Sequence, residues 1–292
     1  MLPLLLAFAA DFTVLLLPDT QKYTESHPET FLAQTEWIKQ NAAKEKIAFV
    51  IHLGDITEND TEAEWQLSSR AMATLDGQVP YSVLPGNHDG YSKTRNATLY
   101  NQHFPPERFK KHPWYGGHSG ATNENNYCKF RAALQDYLVV NLRFGPDDDD
   151  LAWAGTIIRQ HPRHKVIVAT HAYMYNDNTR LGPGDDYSPH KKSKAWNDGE
   201  QIWDKLIRHH QNIFLVVSGH VYGAGRLTSK GDHGNTVHQI LADYQQYPNG
   251  GDGWLRLLRF DTQKNTIAVE TYSPTRREFL RHPDHEFVIE NR

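Results

Sequence analysis

Five short apolar runs punctuate the chain, and each stops abruptly on polar residues. Residues 13–17 (TVLLL) are halted by Pro18 and followed by Asp19-Thr20-Gln21. Residues 47–53 end in Gly54-Asp55, and 79–84 run into Pro85-Gly86 and then Asn87-His88-Asp89. Residues 165–170 deliver His171, and 213–217 deliver Ser218-Gly219-His220. Runs of this length, bounded by turn formers, read as strands buried on both faces. Helical spacing separates most of them. Pro28 opens a segment to residue 41 with Phe31, Leu32, Thr35 and Ile38 on one side. Residues 62–75 repeat the pattern with Trp65, Leu67, Met72 and Leu75. Further helices are predicted from the acidic run 147–150 to residue 160, and over 196–209.

Strands alternating with helices predict an α/β fold with a largely parallel sheet. Residues 127–130 and 137–142 read as an antiparallel pair. After residue 220 the pattern is β-like at 225–228, 236–242, 254–260 and 266–272, with turn signals between. Two stretches, 90–126 and 172–194, lack regular spacing and are rich in Tyr, His, Pro, Gly and Asn. Unstructured loops of that length are usually functional or disordered, and the aromatic content here favours order. No repeat or linker appears, so residues 11–292 are expected to form one domain.

In open parallel sheets, ligands bind beyond the carboxyl ends of the strands. Those ends here carry Asp19, Gln21, Asp55, Asn87, His88, Asp89, His171 and His220. Singly, each has an ordinary explanation, such as a turn-forming Asp or a hydrogen-bonded core histidine. Together they are a set of oxygen and imidazole donors without a thiol, suited to Mn, Fe, Zn or Mg and unlike a structural Cys-zinc site.

Composition narrows the field. The chain has 292 residues, a net charge of −4, 17 histidines and one cysteine, Cys128, which excludes an intrachain disulfide framework. No basic stripe marks a nucleic-acid groove. No segment reaches transmembrane length. Residues 1–10 are apolar, and Ala7-Phe8-Ala9 resembles a small-residue cleavage site. They are expected to be a signal-peptide remnant or a disordered start, which favours a secreted or periplasmic protein over a cytoplasmic one. Residues 59–61 and 96–98 match the glycosylation sequon. The acids at 147–150 could hold calcium, but a helix start is the better reading, because its N-terminal dipole favours negative charge.

In this order, Gly54-Asp55, Gly86-Asn87-His88-Asp89, a strand-end His171 and Gly219-His220 resemble the calcineurin-like metallophosphoesterase superfamily. Leu17-Pro18-Asp19-Thr20-Gln21 and Asp243-Tyr244-Gln245 are similar to a bacterial subgroup of it. The resemblance implies a four-layer α/β/β/α sandwich around a two-metal centre. Asp55 would bridge the metals, Asn87, His171 and His220 would complete one site, and Asp19 would serve the other with Gln21. One or two divalent or trivalent ions are implied, Mn, Fe or Zn before others. A metal-bound hydroxide would attack a phosphomonoester or phosphodiester. His88 would act as general acid or charge stabiliser, oriented by Asp89.

Two positions depart from the superfamily. Its first motif has a histidine where Gln21 stands, and its last has a histidine where Tyr222 stands. Both changes strip imidazoles from one metal site. Gln21 could ligate through its carbonyl and Tyr222 as phenolate, or both could bond a metal-bound water. That site is expected to be the weaker one. The alternative is a catalytically weakened metal- or phosphate-binding module on the same scaffold; a metalloprotein of other chemistry, such as a lyase, is a third reading. The long loops would overhang the metals, which makes Tyr91, Tyr115, His118, Tyr173, Tyr175, Arg180, Tyr222 and Arg226 candidate contacts for a small or medium phosphoester. Nothing in the sequence indicates a partner protein.

Overall fold

The computed structural model describes residues 11–91 and 97–290. The expectation for residues 1–10 and the second sequon, which includes Asn96, fall outside them. The strands are, in chain order, β1 (Phe12–Leu17), β2 (Ile47–His52), β3 (Tyr81–Ser82), β4 (Tyr115–His118), β5 (Asn126–Ala132), β6 (Gln135–Leu142) and β7 (Lys165–Thr170). They continue with β8 (Ile213–Ser218), β9 (Gly223–Lys230), β10 (Thr236–Asp243), β11 (Leu255–Asp261), β12 (Thr266–Ser273), β13 (Glu278–Phe279) and β14 (Phe287–Glu290).

They form two seven-stranded sheets, not one. The first runs β13-β12-β11-β1-β2-β3, with β14 also on β12. The second runs β4-β5-β6-β7-β8-β10-β9. Each has a parallel centre and antiparallel flanks. In the first, β1, β2 and β3 are parallel while β11 joins β1 antiparallel. In the second, β6, β7, β8 and β10 are parallel while β5 and β9 are antiparallel. Periodicity alone predicts one largely parallel sheet; the two-sheet sandwich implied by the resemblance is the arrangement found. Three of the five apolar runs belong to one sheet and two to the other. A strand buried on both faces looks the same in either case.

Alternation along β1 explains the layering. Val14 and Leu16 pack into a core shared with Val139, Ile167, Val217 and Ile240 of the other sheet, while Leu15 and Leu17 pack with Phe31 and Ile38 of the helix Pro28–Asn41. Each sheet is thus covered by its partner on one face and by helices on the other, which gives a four-layer α/β/β/α sandwich. Phe49 of β2 stacks on Phe130 of β5 at 5.2 Å and ties the sheets together.

Local chemistry sets the element ends. Thr61 and Glu64 form a reciprocal cap on the helix Glu62–Ala73, the type of contact worth about 1 kcal/mol. Asp147 and Asp150 do the same for Asp148–Gln160, and Arg143 pairs with both carboxylates. The acidic run is a helix start. The helix expected over 196–209 begins instead at Gly199, capped by Asp198 and Gln201, ends at Lys205 and is followed by a tighter turn, Ile207–His209. The third apolar run shortens to two paired residues at a sheet edge, because Pro80 and Pro85 bring no N–H to a ladder. The stretch 90–126 holds two short helices, Thr98–His103 and Pro106–Phe109, and β4, which sequence spacing missed. Among the described residues no helix is long and apolar enough to cross a membrane.

Candidate metal centre

The parallel centres of both sheets end at the same edge, and their ends are stitched together. Thr20 N donates to Asp55 O at 3.1 Å, Gly219 N to His171 O at 3.0 Å, and Phe144 N to Pro85 O at 3.0 Å. Asp55, His171 and His220 converge there, each offering a ligand atom within 4.8 Å of the others. Asp55 comes from the first sheet and the two histidines from the second.

Backbone geometry makes the convergence. Asp55 and His220 both adopt left-handed conformations, with φ of +46° and +75°. The adjoining glycines are sterically required. A Cβ on Gly86 would lie 2.1 Å from Asp55 Oδ1, and one on Gly219 would lie 2.1 Å from Asp19 Oδ1.

The donor orientations fit a cation. His171 gives Nδ1 to the carbonyl of Leu53 at 2.8 Å, which requires the proton on that nitrogen. Its Nε2 then faces two oxygens, Asn87 Oδ1 and Asp55 Oδ1, each at 3.2 Å. A bare lone pair opposite two acceptors is repulsive; a cation, or a second proton, between them is not. His220 bonds the carbonyl of Tyr187 through Nε2 at 2.9 Å, leaving Nδ1 for the cluster. Asp19 accepts from His220 N through Oδ2 at 3.1 Å, while its Oδ1 is buried without a partner. Gln21 donates its amide N–H to Glu58 at 2.7 Å, which fixes the flip of the amide and leaves Oε1 buried and equally unpartnered. Two orphaned buried oxygens, two residues apart in sequence, are donors that suit a cation.

The electrostatics are strained in the same sense. Burial works to keep the proton on Asp55, but the imidazoles of His171, His88 and His220 outweigh it and bring its carboxyl down to about 2. Asp19 is pushed well above the usual carboxylate range by burial and then by the charges of Asp243 and Asp55. Burial, followed by repulsion from His171, drives His220 down to about 3. His171 moves up, because the adjacent Asp55 outweighs its burial.

His88 and Asp89 behave differently from expectation. Asp89 does not orient His88. It is wholly buried and accepts from Gly86 N, Ile56 N, Thr57 N and Thr57 Oγ1 at 2.9–3.0 Å, pinning the second and third strand ends together. His88 is held instead by Glu58, whose carbonyl lies 2.8 Å from Nδ1 and whose carboxylate lies 3.7 Å away. Its ring is about one-third exposed, at the rim of the site.

Most candidate substrate contacts are structural. Tyr173 is fully buried with its hydroxyl on Gln239 at 3.1 Å. Tyr91 bonds Glu124, and Tyr115 bonds Asn123 at 2.7 Å; His118 stacks on Tyr115. Arg180 is consumed by Glu200, Ser229 and Gln239 and lies over Trp203. Arg226 is exposed but its guanidinium covers Phe287 at 4.4 Å. Tyr175 lies tilted against Tyr187, ring centres 6.2 Å apart. Tyr222, two residues past His220, lines a cleft of about 530 Å³ together with Tyr247, Asn176, Arg281 and His282. Sequence reasoning missed three neighbours. Glu58 lies three residues past Asp55 and could have been suspected from that spacing. Tyr187 lies with its ring 5.9 Å from that of His220. Lys192 lies over Phe144, whose ring is 5.3 Å from His220.

A family model described as calcineurin-like phosphoesterase matches residues 12–224. The uncharacterized protein YvnB of Bacillus subtilis is 36% identical over 271 residues, 90% of this chain but 20% of that protein. A probable glycerophosphodiester phosphodiesterase GpdQ of Arcobacter nitrofigilis is 22% identical over 192 residues, 62% of this chain and 59% of that protein. The chain therefore spans a fifth of the length of one curated relative and 59% of the other. Among solved structures, a dimetal phosphatase from Danio rerio shares the fold over 97% of this chain and all of its own, with a TM-score of 0.62 at 13% identity.

Proposed function

The chain belongs to the calcineurin-like phosphoesterase family, and from that premise we propose that it is a metal-dependent hydrolase of small phosphoesters with a two-metal centre. The observation that carries the reading is the pair of opposed donor sets. Asp55, Asn87, His171 and His220 would serve one ion; Asp19 and Gln21, with their orphaned oxygens, would serve the other, with Asp55 shared between them. When bound, the ions would neutralise the phosphoryl oxygens and acidify a water for attack. His88, at the rim with its Nε2 unclaimed by Glu58, protonates the departing alkoxide, and Glu58 fixes the ring for that task. Asp89 holds the loop on which His88 sits. The retained Asp19 and the carbonyl-bearing Gln21 favour a working first site over a scaffold emptied of chemistry.

A diester is the substrate class to try first. The cleft beyond Tyr222 can hold a second substituent on phosphorus, and the Arcobacter relative carries a diesterase name. The test is metal analysis of purified protein beside hydrolysis of a nitrophenyl monoester and diester. Metal content without turnover of either ester would leave only a binding module.

His88→Ala separates the acid role from general support. Loss of a positioned general acid costs typically about 10²–10⁴ in rate when the leaving group needs a proton. The variant should lose that much on alkyl esters and far less on nitrophenyl esters, whose leaving group departs unprotonated. An equal loss on both would remove the acid role.

A further inference from the structure

The Asp243-Tyr244-Gln245 motif has no part in the function so far, yet the topology brings it to the same edge. Strand β10 runs parallel to β8 with Leu241 opposite Ser218. Two residues beyond that pair, Asp243 closes β10, where it pairs with Gly223 of β9, three residues after His220. We propose that Asp243 is a further carboxylate ligand of the metal site served by Asp19 and Gln21, supplying there the donor that Gln21 and Tyr222 cost it. The inference rests on the metal reading above.

Burial gives the first argument. Asp19, Asp55 and Asp243 are 2%, 1% and 0% exposed. Among the described residues no lysine or arginine pairs with any of them; the one ion pair in the set is Asp55 with His171. Buried carboxylates are tolerated when paired or when they coordinate a metal. Asp243 is also a charged neighbour of Asp19 and acts on it electrostatically.

The hydrogen bonds give the second. Asp243 Oδ1 accepts from Gln245 N at 2.9 Å and Oδ2 from Gln245 Nε2 at 2.8 Å. Both oxygens accept, as an anion does, whereas a protonated structural acid would need an acceptor for its own O–H. One lone pair on each oxygen is used, and another remains. Outer hydrogen bonds of this kind are how ligating carboxylates are oriented. The orphaned Asp19 Oδ1 and Gln21 Oε1 are the independent sign that something positive belongs beside them.

The experiment compares chelator-treated wild type, Asp243→Asn and Asp19→Asn by calorimetric titration with Mn²⁺ or Zn²⁺, and by thermal melting with and without metal. The wild type should take up two ions. Asp243→Asn should keep the tighter one with little change and bind the second at least tenfold more weakly, as should Asp19→Asn. Without metal, Asp243→Asn should melt above the wild type, because one of three crowded carboxylates is gone. Unchanged binding of both ions overturns the proposal. So does a metal-free variant that melts lower or fails to fold, since that is the mark of a structural acid. A wild type that binds one ion, with Asp243→Asn its equal, removes Asp243 alone. A wild type that binds none removes the metal reading as well.

Discussion

Asp55→Asn should lower kcat/KM for phosphoester hydrolysis at least about a thousandfold, equivalent to about 4 kcal/mol of transition-state stabilisation, while leaving the protein folded. On the two-metal reading proposed above, the Asp55 side chain is the one shared by both donor sets. Its Oδ1 accepts from His88 N at 2.8 Å and faces His171 Nε2 at 3.2 Å. Asparagine keeps the shape and removes the charge. Its amide nitrogen has no lone pair to give, so it cannot serve two cations at once. The fold should survive, because the change removes one buried anion from beside Asp19 and Asp243. Steady-state kinetics, metal content and circular dichroism on the same sample decide the matter. A variant within tenfold of wild type, carrying its full metal, would sink the bridging role.

Chelation should lower the melting temperature by about 5–10 °C at pH 8 and by much less at pH 5. A ligand held at a hundred times its Kd stabilises the folded state by about 2.7 kcal/mol. For chains a little shorter than this one, each kcal/mol shifts the midpoint by about 2–4 °C. The pH dependence follows from the carboxyls. Burial, followed by the charge of Asp55, raises Asp243 to about 6, and burial with the charges of Asp243 and Asp55 raises Asp19 well above the usual carboxylate range. A carboxyl raised on folding stabilises the metal-free protein fully below its unfolded pKa of about 4, and that contribution disappears as pH rises through the folded value. Above that point the metal-free site holds uncompensated charge, which a cation relieves. His220, lowered to about 3, is already neutral in the folded state across this window and does not compete. Melting curves at pH 5, 6, 7 and 8, with and without chelator, measure the difference directly. A gap that is constant or shrinks toward pH 8 would contradict the account.

The strand ends were legible because Pro and Gly interrupt apolar runs at fixed points, and the polar residues that follow have nowhere else to go. That is why Asp19, Asp55, Asn87, His171 and His220 could be placed just past strand ends from the chain alone. The division into two sheets could not. Residues 47–53 and 213–217 are equally apolar, and nothing in a run buried on both faces names its neighbours. Side-chain direction was also hidden. Asp89 adjoins His88 in sequence, but the turn after Pro85 aims it backward at Ile56 and Thr57, and Glu58 takes its expected place. Tyr173 follows His171 by two residues and yet points into the core, because the loop it begins folds back under Gln239. The short helices between residues 98 and 109 escaped notice since neither is long enough to show a helical period. Asp243 was visible as a motif, but without the parallel pairing of β8 and β10 it had no location.

The left-handed backbone at Asp55 and His220 has a consequence for the protein's history under selection. Side chains bearing a Cβ cost about 1 kcal/mol or more in that conformation, and glycine does not. A lineage chosen only for heat resistance would drift to glycine at both places and lose its chemistry on the way. At these two points a gain in backbone ease and the loss of a donor atom would come with the same replacement.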